Sequence, residues 1–298
     1  GAMLSRTALV ESSNRARRYF VWTAHHSVYD GWSLAKMPEL LGRLLTGEPL
    51  STQVPVSRFM GYLARQDMEQ TKAFWQKHLQ DATWARFPSL PSAQHNVSPS
   101  SMIQCQLKVP QVAEGVTTST MLRTAWALLV AASTGANEAV ISVVLSGRMA
   151  TIEGITDLVA PTITSVPFRV CAMRDRSVRD FLADVQKRAT EMVPYEHTGL
   201  QNIRRMVPNL GPEFDPGHSF VVQPADESES ANPIPYADFE RSATSTNAFD
   251  GYALTVECTM SLEASDVSVE FRYDDAVLPT GNAQRLLAQF NHVVQELA

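Results

Sequence analysis

The chain has 298 residues, 44% of them hydrophobic, enough for a sizeable core and more naturally two lobes than one. With 31 acidic against 25 basic residues its net charge is −6, and no basic cluster exceeds Arg15-Ala16-Arg17-Arg18, so nothing points to nucleic acid. The longest apolar windows, such as Ala125 to Ala132, are far too short to span a bilayer, and no signal peptide opens the chain. Cys105, Cys171 and Cys258 are odd in number and widely spaced, and read as reduced core residues of a cytoplasmic protein; no Cys/His spacing marks a metal site.

Gly1-Ala2-Met3 reads as the scar of a cleaved tag. Leu4 to Glu11 and Arg18 to Ala24 read as antiparallel strands joined by a turn over Ser12 to Ala16. The second strand ends in His25-His26, and four residues later come Asp30 and Gly31. Trp32 to Leu45 carries Leu34, Met37, Leu40, Leu41, Leu44 and Leu45 at helical spacing, with Gly47 where a C-cap belongs. The histidines therefore stand at a strand-to-helix junction. As neighbours on an extended strand their side chains are expected on opposite faces, so that only one faces a given cavity. Histidine suits general-base work because its ordinary pKa of about 6.5 lies near working pH. Gly31 is expected to let backbone N–H groups approach a substrate closely.

Val54 to Ala82 reads as one or two helices with an apolar stripe of Phe59, Tyr62, Leu63, Phe74, Trp75 and Leu79, Asp67 capping the second segment. Residues 88–101, rich in proline and serine, read as a linker between an N-terminal part, residues 4–87, and a C-terminal lobe, residues 102–298. Met102 to Val109 alternates as a strand, Thr118 to Thr134 is an apolar helix, and Ala139 to Leu145 is a buried strand ending in Ser146-Gly147-Arg148. Ile155 to Val170 follows, then a helix from Ser177 to Val193 and the run Pro194-Tyr195-Glu196-His197-Thr198-Gly199-Leu200. Ser219 to Gln223 is a buried strand, and Asp226 to Asn232 is an acidic solvated loop without a ligand set for a metal. Tyr252 to Ser261 and Val267 to Tyr273 read as strands around a turn at Ala264-Ser265-Asp266. A helix from Thr280 to Leu297 closes the chain, with Leu286, Leu287, Phe290, Val293, Val294 and Leu297 as its buried stripe. The pattern is a layered α/β (α+β) one.

The stretch Phe20 to Leu34 resembles the HHxxxDG signature of condensation domains of nonribosomal peptide synthetases, and Trp32-Ser33-Leu34 resembles fungal members. Ser146-Gly147-Arg148 resembles their SGR element. Phe74-Trp75 to Leu79 resembles their FW-x-x-x-L ending. Pro194 to Ile203 resembles the fungal PFEHTGLQxI motif. Ile155 to Val170 resembles GPFxNTVPxR, departing at Ala160, where glycine is usual, and at Thr164, where asparagine is usual.

The resemblance implies the two-lobed chloramphenicol-acetyltransferase-like fold, here with an incomplete N-terminal lobe. That missing segment, or a swapped copy of the chain, is the expected cover for apolar surface around Phe20, Trp22 and the Leu34 to Leu45 helix. It implies that His26 is catalytic, and that His25, Asp30, Gly31 and Arg148 are structural to the motif, Arg148 pairing with Asp30. Trp32, Thr164 and Ser165 are expected along a substrate tunnel, and His197 has a structural role. The implied reaction joins donor and acceptor thioesters on upstream and downstream carrier proteins, beside an adenylation domain, forming a peptide bond. No cofactor binds directly; phosphopantetheine arms of the carriers bring the substrates. Two other readings stay open: a terminal cyclising or ester-forming condensation-like domain, and a catalytically silent scaffold or carrier-docking remnant.

Overall fold

The computed structural model describes residues 2–13, 17–50, 54–110, 112–172, 176–211, 214–224, 251–261 and 266–297. The acidic loop at Asp226 to Asn232, the turn residues 14–16 and the turn residues 264–265 lie outside them. The chain folds as two compact units.

The described residues within 2–64 and 151–163 belong to the first unit. Strands β1 (Ser5–Glu11) and β2 (Arg18–Ala24) form an antiparallel pair in which Leu9 faces Phe20 and Thr7 faces Trp22. Leu9, Val10, Tyr19, Phe20 and Val21 are exposed, so this two-stranded ribbon is apolar on both faces. A short 3-10 turn, His26–Val28, leads into helix α1 (Gly31–Thr46). Asp30 caps α1: its carboxylate accepts the Ser33 N–H while the Ser33 hydroxyl accepts the Asp30 N–H, a capping box. Gly47 ends the helix at φ +75°, the left-handed conformation that glycine adopts without cost. Helix α2 (Val56–Ala64) follows.

The described residues within 65–150, 164–224 and 251–297 contribute to the second unit. Its sheet holds β3 (Ser101–Lys108), β4 (Glu138–Leu145), β5 (Thr164–Cys171), β6 (His218–Pro224), β7 (Leu254–Met260) and β8 (Asp266–Tyr273) in the order β3-β8-β7-β6-β4-β5. The pairs β4–β6 and β6–β7 are parallel and the others antiparallel. Helices α3 (Met68–His78), α4 (Thr118–Thr134), α5 (Val178–Met192), α6 (Leu200–Met206) and α7 (Thr280–Glu296) complete the unit. Helix α4 has no charged face to present to water over most of its length and is buried accordingly. Its Trp126, fully buried, stands among the rings of Phe220, Phe271, Phe290 and His218 at centroid distances of 5.5 to 6.0 Å.

The sequence groups residues 65–87 with the N-terminal part; in the structure they pack in the second unit. The reason is burial: Trp75 and Leu79 of the α3 segment are fully enclosed in that unit's core. Arg169 donates to Glu138 at 2.6 Å and to the Gln80 carbonyl at 2.5 Å, and Thr83 donates twice to Glu138. Burial raises the Glu138 carboxyl, but these donors more than offset it and hold it at about 2. Of the cysteines, Cys258 is fully buried and its thiol is pushed far up by burial, whereas Cys105 and Cys171 are only partly enclosed. No helix among the described residues is long and apolar enough to cross a membrane.

Candidate active site

Strand β2 stops at Ala24, and this overturns one expectation. His25 is still extended, at φ −77° and ψ 140°, but His26 already opens the 3-10 turn. The two imidazoles are therefore separated by a change of backbone conformation and not by strand alternation. Their bonding separates them further. His25 is exposed, and its Nδ1 accepts the Ser27 N–H at 3.2 Å, capping the short turn. His26 is half-buried, and its Nδ1 lies 3.0 Å from the Tyr29 carbonyl. A carbonyl only accepts, so Nδ1 of His26 carries the proton and Nε2 keeps the lone pair. The ring is also stacked on Tyr29, centroid to centroid 4.7 Å. Ser27 Oγ also lies 2.8 Å from His25 Nδ1, and for neutral rings the backbone contacts assign His25 and His26 opposite tautomers, only His26 having its basic atom on the side away from its anchor.

Asp30 is 2% exposed. One carboxylate oxygen caps α1, while the other accepts the Thr162 N–H at 2.9 Å and lies 3.4 Å from its hydroxyl. Trp32 Nε1 donates to the Thr156 carbonyl at 2.9 Å. The first turn of α1 is in this way tied to the segment before β5. At Gly31 an added Cβ would meet nothing within 4 Å, so in this unit the glycine answers to no close contact.

Arg148, Thr164 and Ser165 stand in the second unit. Arg148 is 5% exposed, next to Gly147, which takes φ +68°. Thr164 and Ser165 are neighbours on β5 and bond to different partners. The Thr164 hydroxyl donates to the Glu196 carbonyl at 2.8 Å. Ser165 Oγ lies 3.0 Å from Ser142 Oγ, which is in turn 3.4 Å from the Tyr252 hydroxyl. His197 Nε2 donates to the Gly147 carbonyl at 3.0 Å, and burial keeps that imidazole's pKa low despite this bond. Glu196 is buried, and burial pushes its carboxyl up to about 7, with the Arg123 guanidinium partly opposing it.

Sequence reasoning did not single out Tyr29, Thr162, Ser142 or Tyr252. Tyr29 falls on a variable position of the HHxxxDG pattern, so the motif itself hides it; the others act through hydroxyls and backbone N–H groups that leave no spacing to read.

The family model described as Condensation domain matches residues 2–298. The chain is 56% identical over 300 residues to Nonribosomal peptide synthetase 32 of Fusarium pseudograminearum and 55% identical over 302 residues to Nonribosomal peptide synthetase vlms of a Lecanicillium species. In both alignments all of this chain is covered, and it spans 3% of the relative's length. The first condensation domain of the calcium-dependent antibiotic synthetase, solved in complex with a substrate analogue, shares the fold. The TM-score is 0.67 at 18% identity, over 99% of this chain and 67% of that one. The layered α/β arrangement is thus the chloramphenicol-acetyltransferase-like fold of such domains, and the chain belongs to the condensation-domain family of nonribosomal peptide synthetases.

Proposed function

We propose that this domain forms a peptide bond between two substrates, each held as a thioester on the phosphopantetheine arm of a carrier protein within a multidomain synthetase. The α-amine of the acceptor attacks the donor carbonyl, the new C–N bond forms as the C–S bond breaks, and the amine proton ends on the departing thiol. The flanking carriers and an adenylation domain are the partners this reading requires, in the reducing cytoplasm that suits three free thiols.

The observation that carries the reading is the bonding of His26. Its Nδ1–H is committed to the Tyr29 carbonyl, so Nε2 is the atom that takes the amine proton or holds the amine in line. The ring's stacking on Tyr29 limits its rotation. No covalent intermediate is needed, so the site calls for no activated serine or cysteine. His25, capping the turn, supports the position of His26; Asp30 and Gly31 start α1; Arg148 is assigned as the ionic partner of Asp30. Trp32, Thr164 and Ser165 are assigned to the walls along which the arms and substrates lie.

The test is single-turnover condensation in the parent synthetase with both carriers loaded, product read by mass spectrometry. His26→Ala is expected to lower the rate by about 10²- to 10⁴-fold with little change in carrier binding. Unchanged turnover in His26→Ala removes the assignment; a wild type inactive with several donor and acceptor pairs favours a silent docking role.

A further inference from the structure

We infer that His197 is a positioning residue, holding in place the turn that carries Arg148. The role rests on the condensation reading only in so far as Arg148 and Thr164 belong to the reaction site. The geometry is independent of it.

The 3-10 turn Val193–Thr198 follows α5 directly, and three successive residues of it bond to three separate segments, β5, the loop after β4 and α3. The Glu196 carbonyl accepts the Thr164 hydroxyl at the start of β5, 2.8 Å away. The His197 Nε2–H reaches the Gly147 carbonyl at 3.0 Å, between β4 and the residues that follow it. The Thr198 hydroxyl accepts the indole N–H of the fully buried Trp75 at 2.9 Å and donates to the Tyr195 carbonyl at 2.6 Å. Tyr195 itself stacks on Phe74 at 4.3 Å. One end of the turn is thereby fixed to α3, and the other two contacts fall on segments that carry proposed site residues.

The Gly147 bond matters because of where it acts. Gly147 is buried and left-handed, with Arg148 the next residue. A buried carbonyl without a donor is unfavourable, so loss of the imidazole N–H pushes the turn to seek another conformation. That conformation carries the Arg148 side chain with it. The His197 side chain is 8% exposed, so the ring is held in place by its surroundings and does not sample the bond by chance. A histidine kept only for packing could be replaced by a ring of similar shape with no donor.

That difference is the test. His197→Gln keeps an N–H donor on a chain of similar reach; His197→Phe keeps the ring and removes the donor. In this chain, amide hydrogen exchange at Gly147 and Arg148 is expected to speed up in the phenylalanine variant and to stay near wild type in the glutamine variant. In the parent synthetase the phenylalanine variant is expected to lower turnover about 10- to 100-fold with the apparent KM for the loaded carrier unchanged, the glutamine variant recovering most of the loss. Equal exchange and equal turnover in both variants, whatever their melting temperatures, overturn the inference. A wild-type synthetase that makes no product while the exchange pattern holds counts against the condensation reading and leaves the brace standing.

Discussion

The carboxylate of Asp30 accepts the backbone N–H of Thr162 at 2.9 Å, joining two positions 132 residues apart in the chain. The motif aspartate is therefore shared: one oxygen starts a helix, the other secures the segment leading to β5. Asp30→Ala removes an N-cap worth about 1 kcal/mol and leaves a buried N–H without an acceptor at about 1–3 kcal/mol more. A total loss of about 2–4 kcal/mol is expected in urea unfolding. Thr162→Val, which keeps the N–H and removes only the hydroxyl 3.4 Å away, should cost under about 1 kcal/mol. Equal losses in the two variants would show that the backbone bond is not what matters.

The proposed Asp30–Arg148 pair calls for a double-mutant cycle. Both side chains are buried, so a direct ion pair should show a coupling energy of about 3 kcal/mol between Asp30→Asn and Arg148→Met, and Arg148→Ala alone should cost about 3–5 kcal/mol. Additive losses would separate the two residues.

The histidine tautomers are open to direct observation. At a pH where both rings are neutral, two-bond ¹⁵N–¹H correlation spectra should show His26 protonated at Nδ1 and His25 at Nε2. The same tautomer at both positions would contradict the bonds to Tyr29 and Ser27.

Two carboxylates should shape stability against pH in opposite ways. Glu196 has a folded pKa raised to about 7, so the folded state binds the extra proton; its contribution is present below about 4.5 and is lost as pH rises through 7. Glu138, held at about 2, contributes stability that is present above about 4.5 and lost as pH falls toward 2. For Glu196 the effect is on the order of 3 kcal/mol, whereas for Glu138, whose carboxylate is partly open to solvent, screening makes it smaller. Glu196→Gln should flatten the decline between pH 5 and 8 and leave the acid limb untouched; a variant that follows the wild-type curve throughout would place Glu196 outside the titration.

Gly217 offers a purely steric prediction. It sits at φ +79°, and a Cβ there would lie 2.8 Å from Arg86 Cγ and 2.9 Å from the Phe87 carbonyl oxygen. The oxygen is backbone and cannot step aside. Gly217→Ala should destabilise by about 2–4 kcal/mol, whereas Gly281→Ala, with open space around it, should stay within about 0.5 kcal/mol.

Much of this was legible from periodicity and caps. The span of α4, the pair β1–β2, the caps at Asp67 and Gly47 and the closing α7 all follow from patterns in which local preference and burial agree. What escaped depends on bonds that spacing does not encode. The strand stops one residue before His25, because Ser27 offers the imidazole a local bond and Tyr29 offers His26 another. The aromatic stripe of α3 says that Trp75 is buried but not in which unit. His197, read as structural, proved to contact the very turn that precedes Arg148, a fact carried by the fold alone.

The sheet order also sets a timetable. Strand β3 pairs with β8, Ser101 opposite Tyr273 and Lys108 opposite Asp266, so this edge of the sheet meets its strand neighbour among the described residues after most of the intervening chain has been made. At about 5–20 residues per second on a ribosome, β3 emerges on the order of ten to thirty seconds before β8 exists. During that interval Ile103, Cys105 and Leu107 have no strand beside them, and α4 has neither α7 nor a finished sheet to pack on. A premature stop anywhere before residue 266 therefore leaves a nascent chain with an unpaired β3, and slowing translation lengthens its exposure without bringing its partner nearer.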